Sequence, residues 1–157
     1  MIQRKQTIYL FFAGLIPLIL LFIPLGTFFI EGTPCFEYHS FVVKTISEKQ
    51  VILHSAGNGV LLMATSILSF ITIFLYKNRK LQLKFISVNM LVVLAAIFTM
   101  VYLYPNLIFS KNMNLSHATL EYNYIIIIIF VSAVGLYLAK KAVAKDEAMI
   151  RSADRLR

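Results

Sequence analysis

Lys-Asn-Arg-Lys-Leu-Gln-Leu-Lys, residues 77–84, decides how the rest of the chain is read. It is a short basic stretch between two long apolar runs. Residues 50–76 before it and 85–110 after it contain no Asp, Glu, Lys or Arg. A helix that crosses a bilayer needs about 20 predominantly apolar residues, and each run supplies them. The stretch therefore reads as the turn of a transmembrane helical hairpin. Cations flanking membrane spans collect on the cytoplasmic side, so the turn sets a side for every other segment.

The totals agree with a membrane protein. The chain has 157 residues, 59% of them hydrophobic, with a mean hydropathy of +0.79. A soluble domain is about 45–50% apolar. The length suits one membrane domain covering residues 1–157 and leaves no room for a sizeable soluble one. The formal net charge of +8 would suggest nucleic acid in a soluble protein. Its placement argues for topology instead. Twelve of the fifteen Lys and Arg fall in the head, the basic turn and residues 140–157, together with three acids. The segments between carry the remaining three, Lys44, Lys49 and Lys111, with four acids. That asymmetry predicts a multi-pass protein with both termini in the cytoplasm. A single cysteine, Cys35, excludes the four-helix thiol oxidases and disulfide carriers, whose chemistry needs cysteine pairs.

Working outward, the expected fold class is an all-α membrane protein, four transmembrane helices in an antiparallel bundle at about 8–25, 54–76, 83–104 and 122–143. Gly14 and Pro17 fall inside the first helix, and Pro17 should kink it. The first outer segment, 26–49, contains a Phe-, Tyr-, Val- and Thr-rich piece at 35–46. After the polar residues 47–50 comes Val51-Ile52-Leu53, which reads as a possible small β-hairpin. The second outer loop, 106–121, holds His117 and the formal sequon Asn114-Leu115-Ser116. The tail, 144–157, is rich in helix formers. Ala142, Met149, Ala153 and Leu156 fall on one side, which predicts an amphipathic cytoplasmic continuation of the last helix.

Chemistry-bearing patterns are few. His54, Asn58, Thr65, Ser69 and Thr72 recur at helical spacing and form a polar stripe. Polar groups in hydrocarbon must find partners, so the stripe is expected to face other helices. Asn89 and Ala96, with Thr99, supply a matching side of the third helix, and Ser132 and Gly135 one of the fourth. Thr72 and Asn89 are expected at one depth across the hairpin. Interhelical packing accounts for the stripe most simply; a ligand path along it is the alternative. His39, His54 and His117 all fall on the outer side but share no metal-ligand spacing. There is no phosphate loop, nucleophile elbow or zinc-protease motif, and no charge deep in any span. Catalytic and ion-coupled membrane proteins keep such charges. The chain is accordingly expected to be non-enzymatic and without cofactor. Lys77, Arg79, Lys80 and Lys84, with Arg151, Arg155 and Arg157 of the tail, are the expected contacts to anionic headgroups or to a cytoplasmic partner.

The opening MIQRKQTIYL, the central KNRKLQL at 77–83, and the closing KDE at 145–147 followed by IRSADRLR at 150–157 resemble a family of small four-helix membrane proteins of the Bacteroidota, catalogued as domain of unknown function 4293. The resemblance spans the chain. It implies a bacterial inner membrane with the outer loops in the periplasm, and it carries no reaction or catalytic residues. By architecture alone, the layout also resembles claudin-like tetraspan proteins. The leading expectation is an accessory or scaffold subunit of a membrane complex. The alternatives are a binder or carrier of a lipid or small apolar molecule, and a metal or haem protein working at the periplasmic face.

Overall fold

The computed structural model describes residues 5–111 and 118–155. In chain order it runs α1 (Lys5–Leu20), β1 (Gly26–Ile30), β2 (Thr33–Tyr38), β3 (Val42–Thr45), β4 (Val51–His54), α2 (Ala56–Phe74), α3 (Arg79–Phe98), α4 (Tyr104–Lys111), β5 (Ala118–Tyr122) and α5 (Ile128–Arg155). A 3₁₀ turn, Leu75–Lys77, ends α2, and another, Tyr124–Ile127, leads into α5. A π-helical turn, Thr99–Leu103, joins α3 to α4.

The expected all-α class is wrong. The five strands form one antiparallel sheet in the order β4-β3-β2-β1-β5. The residues read as the end of the first helix are where the error begins. The helix stops at Leu20, and Leu25 N–H already bonds the carbonyl of Tyr38. Gly26–Ile30 then becomes an inner strand, paired with both β2 and β5. The hairpin read near residues 47–50 corresponds to β3 and β4, which form one edge of this larger sheet. β1 and β2 meet through a two-residue loop in which Glu31 (φ 49°) and Gly32 (φ 79°) are both left-handed. That is the backbone a tight hairpin turn demands.

Among the described residues, two helical stretches are long and apolar enough to cross a membrane, Ala56–Lys77 and Arg79–Phe109. The second helix therefore starts after His54, which belongs to β4. The third starts at Arg79, where the Asn78 side chain caps Leu81 N–H at 3.2 Å. It passes through Pro105 instead of stopping there. The fourth starts at Ile128, six residues later than expected, because Tyr122 ends β5. From there α5 runs unbroken into the tail as far as Arg155.

α1 packs between α2 and α5, and α3 packs between the same two, so the four long helices close into a ring. Two apolar clusters fill it. One joins Phe28, Tyr38 and Val43 of the sheet to Leu20, Leu62, Met100 and Ile129 of the helices. The other lies toward the basic end, around Leu10, Ile86, Val93, Leu136 and Val143. Outside the ring the surface is also apolar. Phe74 is 79% exposed, Leu91 68% and Phe98 56%.

Candidate functional site

The polar residues of the helices are turned inward. Asn58, Ser69, Thr72, Asn89 and Ser132 are fully buried, and Thr65, Ser66 and Gln82 are nearly so. Most of them form a seam along the α2–α3 contact; Ser66 reaches α1 instead, and Ser132 lies on α5.

Each hydroxyl has a partner. Thr65 Oγ1 and Thr72 Oγ1 donate to carbonyls one turn back on α2, those of Leu61 and Leu68. This is the ordinary way a membrane helix hides a threonine. Asn89 Nδ2 donates to Ser69 Oγ at 2.7 Å and to the Thr65 carbonyl at 3.2 Å. Gln82 Nε2 donates to the Thr72 carbonyl at 3.2 Å. Asn89 thus meets Ser69, one turn farther from the hairpin than the expected Thr72. The reason is the length of the turn. The sequence reads the basic stretch 77–84 as the turn, whereas α3 already begins at Arg79, which slides every pair along. The seam holds two buried oxygens with no donor, Gln82 Oε1 and Asn89 Oδ1.

At the sheet end the seam joins β2. Asn58 Nδ2 donates to Tyr38 Oη at 3.2 Å, and Thr99 Oγ1 donates to Asn58 Oδ1 at 3.3 Å. Tyr38 is fully buried. Burial, together with the phenols of Tyr104 and Tyr122, pushes its hydroxyl far above the usual value, so it stays neutral.

Both prolines inside helices are answered by hydroxyls from other elements. Pro17 has no N–H, so it cannot serve the carbonyl four residues back, that of Ala13. Ser132 Oγ donates to that carbonyl at 2.7 Å. Pro105 likewise leaves the Val101 carbonyl, and Tyr122 Oη donates to it at 2.8 Å. Beside the first of these, Ser66 Oγ reaches the Gly14 carbonyl at 2.5 Å. A Cβ at Gly14 would fall 2.9 Å from that of Ser69, so only glycine lets α1 and α2 approach this closely.

Of the remaining residues singled out in the sequence, His54 is exposed on β4, outside the seam. Ala96 is buried in the core, and Gly135 faces the Tyr9 carbonyl across the α1–α5 contact. Lys77, Lys80 and Lys84 are exposed, while Arg79 Nη1 donates to the Asp146 carbonyl at 2.9 Å and ties α3 to α5. Arg151 and Arg155 lie on α5, the helix that continues the tail. Arg157, His117 and the sequon at 114–116 lie outside the described residues. Among the described residues no three of His, Cys, Asp and Glu are grouped to hold a metal. His39 pairs with Glu37, at 3.2 Å. Sequence reading missed Ser66, Gln82 and Tyr38. Ser66 was legible in principle, since it precedes Ser69 of the stripe by three residues, a spacing that shares a helix face. Gln82 was hidden among the charges of the presumed turn.

Fold and seam together define a small α+β protein with two membrane-length helices and an apolar core crossed by an uncharged polar seam. The chain belongs to the family described as Domain of unknown function (DUF4293), whose model matches residues 2–156. No curated protein matches it.

Proposed function

We propose that this is a multi-pass protein of a bacterial inner membrane, with the sheet in the periplasm and both termini in the cytoplasm, serving as a non-enzymatic accessory or scaffold subunit. One observation carries the membrane placement: the outer face of the helices is as apolar as the core. Phe74, Leu91, Leu94, Phe98 and Val131 face outward, while the polar side chains of the helices are turned inward among the apolar clusters and carry no charge. Water would penalise that outer surface, at about 25 cal/mol per Å²; lipid would not. The helical hairpin of α2 and α3 crosses the bilayer, and the outer faces of α1 and α5 lie in the same apolar layer. The basic turn, the start of α1 and the tail meet at one end, as the Arg79–Asp146 contact supports. Their cations then face the anionic headgroups of the cytoplasmic leaflet.

The non-enzymatic reading rests on the chemistry of the seam. Its side chains are amides and hydroxyls, none of which titrates near neutrality to serve as an acid or base. A scaffold role leaves the tail as the contact to a protein partner. Residues 140–157 combine six cations, three acids and an apolar side, which suits docking in a groove better than a lipid anchor. Layout alone adds a likeness to claudin-like tetraspan proteins.

Native purification followed by mass spectrometry tests this. A stoichiometric protein partner is expected. It should be lost when Arg151, Arg155 and Arg157 become Lys, which keeps charge but removes bidentate geometry. A parent protein that copurifies with no partner, or a triple variant that keeps every one, would refute the scaffold role. Topology is read separately. An impermeant thiol reagent should label Cys35 on intact spheroplasts, and labelling only after lysis would invert the arrangement.

A further inference from the structure

Where α1 begins, α5 runs on past it, and the two leave a half-open cleft of about 260 Å³. Lys5, Gln6, Ala142, Lys145, Asp146 and Met149 line it. Gln6 is the informative residue. It is only 4% exposed, and what remains open of it lines the cleft. Its amide can both donate to and accept from a polar group bound there. Lys5 and Lys145 bring two ammonium groups to the same cleft, and neither is within ion-pair distance of Asp146. Arg79, bonded to the Asp146 carbonyl, fixes α5 at this level and adds positive potential.

We propose that this cleft binds the headgroup of a phospholipid carrying both a phosphate and a primary amine, an ethanolamine-type lipid of the cytoplasmic leaflet. The inference rests on the membrane placement proposed above. The charges select the headgroup. The two lysines suit a phosphate, and the Gln6 amide donates to its oxygens. A purely anionic headgroup would set its charge beside the Asp146 carboxylate; an added amine gives that carboxylate a partner. Size points the same way. Sites that engulf a drug-sized ligand span about 300–1,000 Å³, so this cleft holds a headgroup and leaves the acyl chains outside. Ile8 and Phe12, about half exposed on α1, provide an apolar surface for those chains.

The test is lipid retention by the full-length protein from bilayers of equal parts ethanolamine, glycerol and choline phospholipids, read by native mass spectrometry. The wild type should retain the ethanolamine lipid roughly tenfold over the other two, the effect of one charged hydrogen bond. Asp146→Asn keeps the backbone carbonyl that Arg79 uses and should erase the preference over the glycerol lipid. Lys5→Gln with Lys145→Gln should abolish retention of all three, and Gln6→Leu should weaken it severalfold. Lys44→Gln with Lys49→Gln, on the sheet, should behave as wild type. Retention in proportion to bilayer composition would overturn the proposal, as would unchanged retention in the Lys5/Lys145 variant. Displacement of the lipid by soluble phosphoethanolamine at equal concentration would assign the cleft to a free metabolite and overturn the lipid source. Alkaline carbonate extraction of the same samples separates the two readings. Normal insertion without retention sinks this inference alone, whereas loss of insertion sinks the membrane placement.

Discussion

Ser132→Ala should be among the most damaging single-atom deletions in this protein, and the reason lies on a different helix. Ser132 Oγ is the donor to the Ala13 carbonyl, at 2.7 Å, and both residues are fully buried. In an uninterrupted helix the N–H of residue 17 would satisfy that carbonyl. Here residue 17 is proline. Removing the serine hydroxyl therefore strands a buried acceptor, which costs about 1–3 kcal/mol. Hydrogen bonds between membrane helices average about 0.6 kcal/mol and reach about 1.7. With no backbone donor to step in, a value near the top of that range, about 1.5 kcal/mol, is expected. For a chain of this size that lowers the melting temperature by about 3–6 °C. The assay is thermal unfolding in detergent micelles, followed by far-ultraviolet circular dichroism, on a double-mutant cycle with Pro17→Ala. Alanine at 17 restores an N–H for the Ala13 carbonyl, so Ser132→Ala should cost only about 0.5 kcal/mol in that background, a coupling of about 1 kcal/mol. Equal costs in the two backgrounds would refute the idea that the serine answers the proline.

The same logic predicts that Tyr122→Phe destabilises by about 1 kcal/mol by stranding the Val101 carbonyl, less in a Pro105→Ala background; the same melting assay reads it. Gly14→Ala should cost about 1–3 kcal/mol, because the new methyl would sit 2.9 Å from Ser69 Cβ and force α1 from α2. In the β1–β2 loop, Glu31→Asn should raise stability by about 0.5–1 kcal/mol, since asparagine tolerates the left-handed backbone, whereas Gly32→Ala should lower it. Tyr38 makes folding pH-dependent. Its folded value is raised above the usual 10, so its contribution is complete below about pH 10 and is lost as pH rises further. Stability measured across that range should fall on the alkaline side. Tyr38→Phe should reduce the fall without abolishing it, because burial also raises Tyr122.

The helical hairpin was legible because composition decides it. Two uncharged runs around four cations leave little choice of structure, and the need to hide polar groups turns the stripe inward. Asn89 and Ser69 do meet, though one turn from the expected register, because the charges at 77–84 look like loop. Arg79 to Lys84 are helical nonetheless, and the Asn78 cap was the signal that marks it. The sheet was largely illegible for a different reason. Thr27-Phe28-Phe29-Ile30 is a short apolar run directly after an apolar helix, and periodicity cannot tell a buried strand from a helix end. Its partner Ala118–Tyr122 lies more than eighty residues away, and no local pattern announces such a pairing. The buried amide of Gln6 was invisible as well. It reads as part of a polar head, and only the packing of α5 over α1 encloses it.

The central claim is that lipid covers the outward apolar face of the helices. Leu91, 68% exposed on α3, tests it most directly. A nitroxide placed there through Leu91→Cys in a Cys35→Ser background, with the protein in bilayers, reports its surroundings by collision with paramagnetic reagents. The account predicts frequent collision with oxygen, which concentrates in hydrocarbon, and little with a water-soluble nickel chelate. The reverse ratio would mean that this face meets water, and the membrane placement would fall.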